Sequence, residues 1–353
     1  MLRTWRQRIT LTDIFIWVIG LAIAAAVVWG TIKTLQLHLY TPSGWLDLTI
    51  RGLALGGVYA LIAMGYTMVY GILKMINFAH SEVFMSGPFT AVYVAQGLSK
   101  SGFLDKQPVI SMAIIAVVAM GVSAGIAMLL ERIAYRPLRN APRLVPLITA
   151  IGASFFLQYT FRGLFGSGSF GYPAIKALQQ YWTVAGTHLY KTQAVVIAGA
   201  VVMMLVLFGI VQWTKIGKAM RAVSEDKEAA ELMGIDVDKI IVFTFFLGGA
   251  SAGAAGVLYT LLFPVVNFYM GFIPSIKAFT AAVLGGIGNV PGAFLGAIIL
   301  GLLESVGPNL FLTGLGIPSP SQLKDAIAFV VLVFILIFRP TGLLGERISK
   351  DKA

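Results

Sequence analysis

Apolar residues run along this chain in long stretches separated by short polar ones. Ten stretches stand out, at about 14–37, 49–73, 76–97, 108–131, 144–165, 192–213, 240–263, 275–289, 291–306 and 323–338. Most are close to the ~20 residues that a helix needs to cross a bilayer core. None alternates polar with apolar positions, so they do not read as strands of an outer-membrane barrel. Lipid offers no partner to open backbone groups, which leaves helices. The pattern therefore predicts an all-α fold: a polytopic transmembrane helical bundle of about ten segments, including short broken helices. Two segments are irregular. The stretch SIKAFTAAVLGGIGN at 275–289 is short for a full crossing and ends in glycines. The stretch GYTMVYGILKMINFAHSE at 65–82 places Lys74, Asn77, His80 and Glu82 close together between two apolar runs. Both are expected to be helices broken at membrane depth, and such interruptions in corresponding positions of two halves point to a transport site. On an unbroken helix His80 and Glu82, two apart, would not share a face. A break near Ala79–Ser81 would let both serve the bundle.

Composition agrees with the pattern. Charged residues make up 12% of the chain, half the ~25% of soluble domains. The net charge of +11 would suggest nucleic acid in a soluble protein. Here its distribution gives a better account. Basic residues cluster at Arg3, Arg6 and Arg8, at Arg132, Arg136, Arg139 and Arg143, at Lys215, Lys218, Arg221, Lys227 and Lys239, and at Arg339, Arg347, Lys350 and Lys352. With ten crossings all of these, and Lys74, fall on one side. The opposite loops hold only Lys100, Lys106, Lys176 and Lys191. The bias puts both termini in the cytoplasm of a multi-pass inner-membrane protein, with the bilayer rather than nucleic acid as its surroundings. The run from Ile14 to Gly30 is long for a cleaved signal core and reads as an uncleaved signal-anchor helix.

Catalytic signatures are missing. The chain has no cysteine and three histidines, with no H-E-x-x-H and no pair at metal-ligand spacing. Its Gly217-Lys218 pair lacks the upstream glycine of a P-loop and is followed by Ala219. No metal, no cofactor and no ATP site of its own are expected, and no enzyme. The candidates for function are of two kinds. Asn77, His80 and Glu82, with Lys277 and Thr280 of the second broken segment, are candidates for lining a translocation route, because intramembrane ionisable groups face protein or water. The competing reading pairs Glu82 with Lys277 as structural glue. The loop 214–239 is amphipathic, with Met220, Val223, Ala230 and Met233 at helical spacing among charges. It reads either as a surface helix or as a helix docking in the groove of another protein, with small Ala229 and Ala230 permitting close approach. Elsewhere Glu131 and Arg162 lie near helix ends, where they can snorkel. Gly121/Gly125, Gly249/Gly253 and Gly292/Gly296 read as helix-packing pairs. Glu304 has no evident partner.

Four strings carry a family resemblance. EAAELMG at 228–234 looks like the E-A-A-x-x-x-G cytoplasmic loop of bacterial ABC importer permeases. ALIAMGYTMVYGILKMINFAHSE, ERIAYRPLR and SIKAFTAAVLGGIGNVPGAFLGAIILGLLE resemble the LivH-type permease of branched-chain amino acid ABC transporters. The resemblance runs from about Leu46 to Gly345. It departs at Ser81, where the family usually has Gly, and in an extra N-terminal helix, 14–37. It implies three parts: an N-terminal stub and signal-anchor helix (1–45), an importer permease domain (46–345) and a cytoplasmic tail (346–353). It further implies a subunit that imports leucine, isoleucine or valine by alternating access. The partners would be a LivM-type second permease, two cytoplasmic ATPases that bind the ATP, and a periplasmic or extracellular binding protein. Glu228, Ala229, Ala230 and Gly234 would form the ATPase-coupling loop. A permease for urea or short amides, and a stand-alone secondary transporter or channel, are the alternatives. The extra helix, outside the resemblance, is expected to be dispensable for transport.

Overall fold

Ten apolar stretches become ten of the thirteen α-helices found among the described residues. The computed structural model describes residues 11–345 apart from 140, 143, 185 and 340. Arg3, Arg6, Arg8 and Arg143, and Arg347, Lys350 and Lys352 of the tail, lie outside the described residues. In chain order the helices are α1 (Leu11–Gln36), α2 (Pro42–Leu73), α3 (His80–Lys100), α4 (Phe103–Lys106), α5 (Pro108–Leu130), α6 (Leu144–Phe165), α7 (Lys191–Trp213), α8 (Lys215–Glu225), α9 (Lys227–Leu232), α10 (Val237–Leu262), α11 (Phe272–Gly285), α12 (Val290–Gly307) and α13 (Lys324–Phe338). Eight helices are long and apolar enough to cross a membrane. The two other predicted segments are α3, whose start is polar, and α11, whose 14 residues reach only ~21 Å at 1.5 Å per residue. Local sequence sets the ends. Thr41 accepts from the Gly44 N–H at 3.2 Å ahead of Pro42 and starts α2; Asn289 accepts from the Gly292 N–H at 2.9 Å and starts α12.

The helix ends fall into two groups. At one end Arg136 and Arg139 pair with Asp238, and Lys74 and Arg139 lie near Lys227. The segment 341–345 joins this basic end, where Leu343 N donates to Leu284 O at 2.7 Å and Leu344 N to Gly285 O at 3.0 Å. At the far end Tyr40 donates to Asn309 at 3.0 Å, Ser305 to the Leu48 carbonyl at 2.6 Å and Thr187 to the Ser43 carbonyl at 2.9 Å. The loop 166–190 at this end holds the only sheet structure of the described residues, with one partner strand from the loop after α10: β1 (Phe170–Gly171) pairs with β4 (Val265–Val266), and β2 (Tyr181–Val184) forms a hairpin with β3 (Thr187–Tyr190). His188 and Tyr190 sit in that hairpin. The basic residues predicted to share a side do share an end, as far as they are described.

The bundle is built twice. The set α2, α3, α5 and α6 recurs as α10, α11, α12 and α13, running in the opposite direction. Helix α2 packs on α12 as α10 packs on α5, and α11 packs on α2 as α3 packs on α10. The close contacts match as well. A Cβ on Gly52 or Gly56 of α2 would come within 3.0 and 2.9 Å of the carbonyl oxygens of Gly301 and Ala297; one on Gly249 or Gly253 of α10 would come within 2.7 and 2.5 Å of those of Ser123 and Ala119. In both places small residues let helices touch through their backbones. Helix α5 ends in a π turn (Glu131–Tyr135) and a 3-10 turn (Arg136–Leu138), and α12 ends in a π turn (Pro308–Leu312) and a 3-10 turn (Thr313–Leu315). This is an inverted-topology repeat.

The sequence reading of Gly249/Gly253 and Gly292/Gly296 as packing positions holds, whereas Gly121 and Gly125 meet nothing within 4 Å. Gly52 and Gly56 pack in the same way, and their spacing alone does not single them out, because many glycines of the chain share it. The extra helix α1 lies across the turns after α12, where a Cβ on Gly30 would sit 2.0 Å from the Phe311 carbonyl oxygen and one on Gly314 2.1 Å from that of Gly30.

Candidate functional site

Helix α2 stops where Lys74 adopts the left-handed conformation at φ 55°. Residues 74–79 then turn back into the bundle, and α3 begins at His80. The loop after α10 does the same before α11. The two helix starts meet: a Cβ on Gly271 would lie 2.1 Å from the carbonyl oxygen of Ser81. A Cβ on Gly65 would lie 2.6 Å from His80 Nε2 and 3.0 Å from the Gly248 carbonyl oxygen. Gly248 lies near the middle of α10, so the junction is about halfway along the bundle. The starts of α3, which is long enough to cross, and of the short α11 thus lie against one another inside the bundle, each presenting the positive end of its helix dipole there. Both segments are broken, as the sequence predicts, but the first break is at 74–79 and not at Ala79–Ser81. His80 and Glu82 share the unbroken first turn of α3 and face different neighbours.

Glu82 is 1% exposed. Its Oε1 accepts from Ser154 of α6 at 3.0 Å and lies 3.2 Å from Ser81 Oγ, while Oε2 has no partner. No basic side chain forms a salt bridge with it among the described residues. His80 faces α2, with its ring 4.6 Å from that of Tyr66. Its Nε2 has no hydrogen-bond partner. Asn77 accepts from the Tyr135 hydroxyl at 2.6 Å, which fixes the 74–79 turn against the π turn after α5. Thr280 is fully buried, and its hydroxyl donates to the Ile276 carbonyl of its own helix at 3.0 Å.

Lys277 does not pair with Glu82. Its ammonium lies 2.7 Å from Glu304 Oε1 on α12 and 2.6 Å from Asp325 Oδ1 in the first turn of α13, with the Tyr59 hydroxyl at 3.5 Å. Glu82 is the acid of the other broken segment, but the fold places it against α6 and away from Lys277. The true partners come from two later helices, one of them Glu304, which the sequence left without a partner. Glu131 is also corrected: it does not snorkel but is fully buried and paired with Arg139.

The loop 214–239 folds as two helices. Thr214 caps α8 and Asp226 caps α9, each accepting from a backbone N–H at 3.0 Å. Met220, Val223 and Ala230 are buried, as the amphipathic pattern predicts. Met233 is not: it is 83% exposed, beside Leu232 at 88%. Ala230 packs inward and so offers no close approach to a partner, whereas Glu228 and Ala229 lie on the exposed side. Gly234 follows at φ 82° with open space around it and ends α9. Lys227 is held below its usual lysine range by burial and by the nearby Arg139 and Lys74.

Comparison with known proteins assigns this architecture. The family described as branched-chain amino acid transport system / permease component matches residues 48–336. The chain belongs to that family. The permease is 39% identical over 307 residues to the high-affinity branched-chain amino acid transport system permease protein LivH of Salmonella typhimurium, covering 86% of this chain and 96% of that one. It is 41% identical over 305 residues, with the same coverage, to the corresponding protein BraD of Pseudomonas aeruginosa. A shorter likeness, 30% over 140 residues and 38% of this chain, links it to a branched-chain amino acid transport permease protein LivM of Methanocaldococcus jannaschii. In this permease, sequence reasoning missed Ser154, Tyr135, Asp325 and Leu232. Asp325 had a signal, as an acid opening an apolar helix opposite an unpaired lysine. Ser154 and Tyr135 had none, since each is an ordinary membrane-helix residue until α6 and the π turn are placed.

Proposed function

We propose that this chain is a membrane permease subunit of an ATP-driven importer of branched-chain amino acids. The basic end faces the cytoplasm together with both termini, in keeping with the distribution of lysine and arginine. Two ATPase subunits bind the ATP and dock on the basic end. A second permease of the LivM type completes the membrane part, and an external binding protein delivers substrate to the far end. The observation that carries the reading is the exposed pair Leu232 and Met233 at the tip of a capped helix turn on the polar basic end. A large apolar tip in that setting fits the groove of a soluble partner. The coupling contact is therefore made by Leu232 and Met233, flanked by Glu228, Ala229 and Gly234.

Transport passes the meeting point of the α3 and α11 starts, where His80 and Glu82 keep unpartnered atoms in the middle of the bundle. Asn77, Lys277 and Thr280 hold the walls in place. An apolar amino acid needs few polar groups along a smooth path, and weak holding favours release. The test is Leu232→Asp with Met233→Asp. The expected result is normal membrane insertion, loss of ATPase subunits on purification and loss of leucine uptake. Normal uptake with the ATPase retained would refute the coupling role.

A further inference from the structure

The segment ERIAYRPLR after α5 opens with a π turn (Glu131–Tyr135), an insertion found frequently at functional sites. Tyr135 is 1% exposed. Its ring packs on Phe245 of α10 with centroids 5.7 Å apart, and its hydroxyl donates to Asn77 of the 74–79 turn at 2.6 Å. Arg139 pairs with Glu131 and with Asp238 at the start of α10. Lys227, the first residue of α9, lies near Arg139 and near Lys74, and α8 packs on both α2 and α10. The segment after α5 thus holds the 74–79 turn on one side and stands beside α9 on the other. The matching π turn after α12 is covered by α1 instead. Glu131 Oε2 and Arg139 Nε lack partners, so the charged cluster is not saturated. The 74–79 turn also closes a cavity of only about 10 Å³, lined by Tyr66, Tyr70, Ile76, Asn77 and Phe279. That is room for about one water molecule. The cavity lies between the level of Gly65, which meets His80, and the Lys74 end of α2. An amino acid passes there only if the turn moves.

We propose that Tyr135 is a positioning residue for transport, linking the ATPase-docking end to the 74–79 turn, which closes the route on the basic-end side of the α3 and α11 starts. The inference rests on the transport and coupling readings above. When the ATPases close, α8 and α9 move and displace Arg139 with the π turn. Tyr135 carries that displacement to Asn77 through its hydroxyl. The turn then draws away from Tyr66 and Phe279, and the closed cavity opens toward the cytoplasm. Residues 74–79 belong to neither α2 nor α3, so they can shift while both helices keep their own hydrogen bonds. Tyr135 itself touches no substrate.

The test uses the complete transporter, with its ATPases and binding protein, in liposomes, and reads leucine imported per ATP hydrolysed. Tyr135→Phe removes only the donor. It is expected to keep the ATPase bound and hydrolysing, to lower the import ratio at least fivefold through the maximal rate, and to leave the KM for uptake within twofold. Asn77→Asp keeps the acceptor and is expected to hold the ratio within twofold of wild type. Asn77→Leu is expected to lower it as Tyr135→Phe does, and the double variant to lower it no further. A merely structural bond would lower inserted protein, hydrolysis and uptake together and leave the ratio unchanged, and that result overturns the proposal. The chain has no cysteine, so Ile76→Cys gives a second reading with Tyr135 and Asn77 intact, which serves if their variants do not fold. Thiol labelling at this position is expected to differ at least threefold between nucleotide-free and vanadate-trapped complex; equal labelling would overturn the proposal. Leu232→Asp with Met233→Asp is run alongside. Loss of the ATPase in that variant, with a wild-type ratio in Tyr135→Phe, removes the link through Tyr135 and leaves the coupling reading standing.

Discussion

Glu82 and Glu304 are both carboxylates buried in one bundle, and their surroundings differ sharply. Glu304 has a full countercharge in Lys277, itself shared with Asp325. Glu82 has two hydroxyl neighbours and the start of a helix. A buried charge is costly, and only close pairing with good hydrogen bonds recovers most of that cost. The first arrangement therefore ties three helices together. The second leaves a group whose demand is unmet inside the closed bundle, as suits a site that meets a passing ligand or changes its surroundings during transport.

The largest expected effect comes from breaking the paired site. Lys277→Met leaves two acids without a base and should destabilise the permease by about 3–5 kcal/mol. Adding Glu304→Gln should recover part of the loss. Chemical unfolding in detergent measures both, and a wild-type curve for Lys277→Met would show that the group does not hold the fold. Next comes the junction itself. Gly271→Ala places a methyl against the Ser81 carbonyl and should cost about 1–3 kcal/mol, with uptake reduced; unchanged stability would mean that the two helix starts are not in contact.

Glu82→Gln should change stability by no more than about 1 kcal/mol, because Ser154 can still donate to it, yet lower the rate of leucine uptake several-fold. Normal uptake would remove Glu82 from the route. Combining Glu82→Gln with Lys277→Met should give additive stability effects within about 0.5 kcal/mol, since the residues share no partner. Strong coupling between them would contradict the separation seen here. The smallest effect on transport is expected from deleting residues 1–40. Uptake per inserted molecule should stay within twofold of wild type, while the thermal midpoint falls because α1 no longer covers the turns after α12. Loss of uptake despite correct insertion would give α1 a direct role.

The ten helices and the two broken segments were legible because hydrophobic runs and their interruptions are local signals. The family was legible from long strings such as SIKAFTAAVLGGIGNVPGAF. The partners of Lys277 were not. Glu304 and Asp325 are 27 and 48 positions later in the chain, and only the packing of α11 against α12 and α13 selects them. The inward position of Ala230 and the outward one of Met233 also resisted the sequence. A helical wheel places both on one face, but α9 ends at Leu232 and Met233 leaves the wheel. The broken segments hint at two corresponding halves, and their inverted topology is visible only through matched contacts, because helix packing constrains residue size far more than identity.

Helix α13 has few buried residues of its own, yet it is fastened to α11 twice. Asp325 meets Lys277 near one end, and Leu343 and Leu344 hydrogen-bond Leu284 and Gly285 at the other. In mechanical terms this is a rod pinned at one end and tethered at the other through the short non-helical segment that follows it, beside a neighbour of nearly equal length. Sliding along the axis would have to break the Lys277–Asp325 ion pair, whose acid is half-exposed, or stretch the tether, whereas swinging together with α11 as one lever strains neither. A tilt of the pair as one lever is therefore the movement that these contacts oppose least, ahead of a piston movement of one helix.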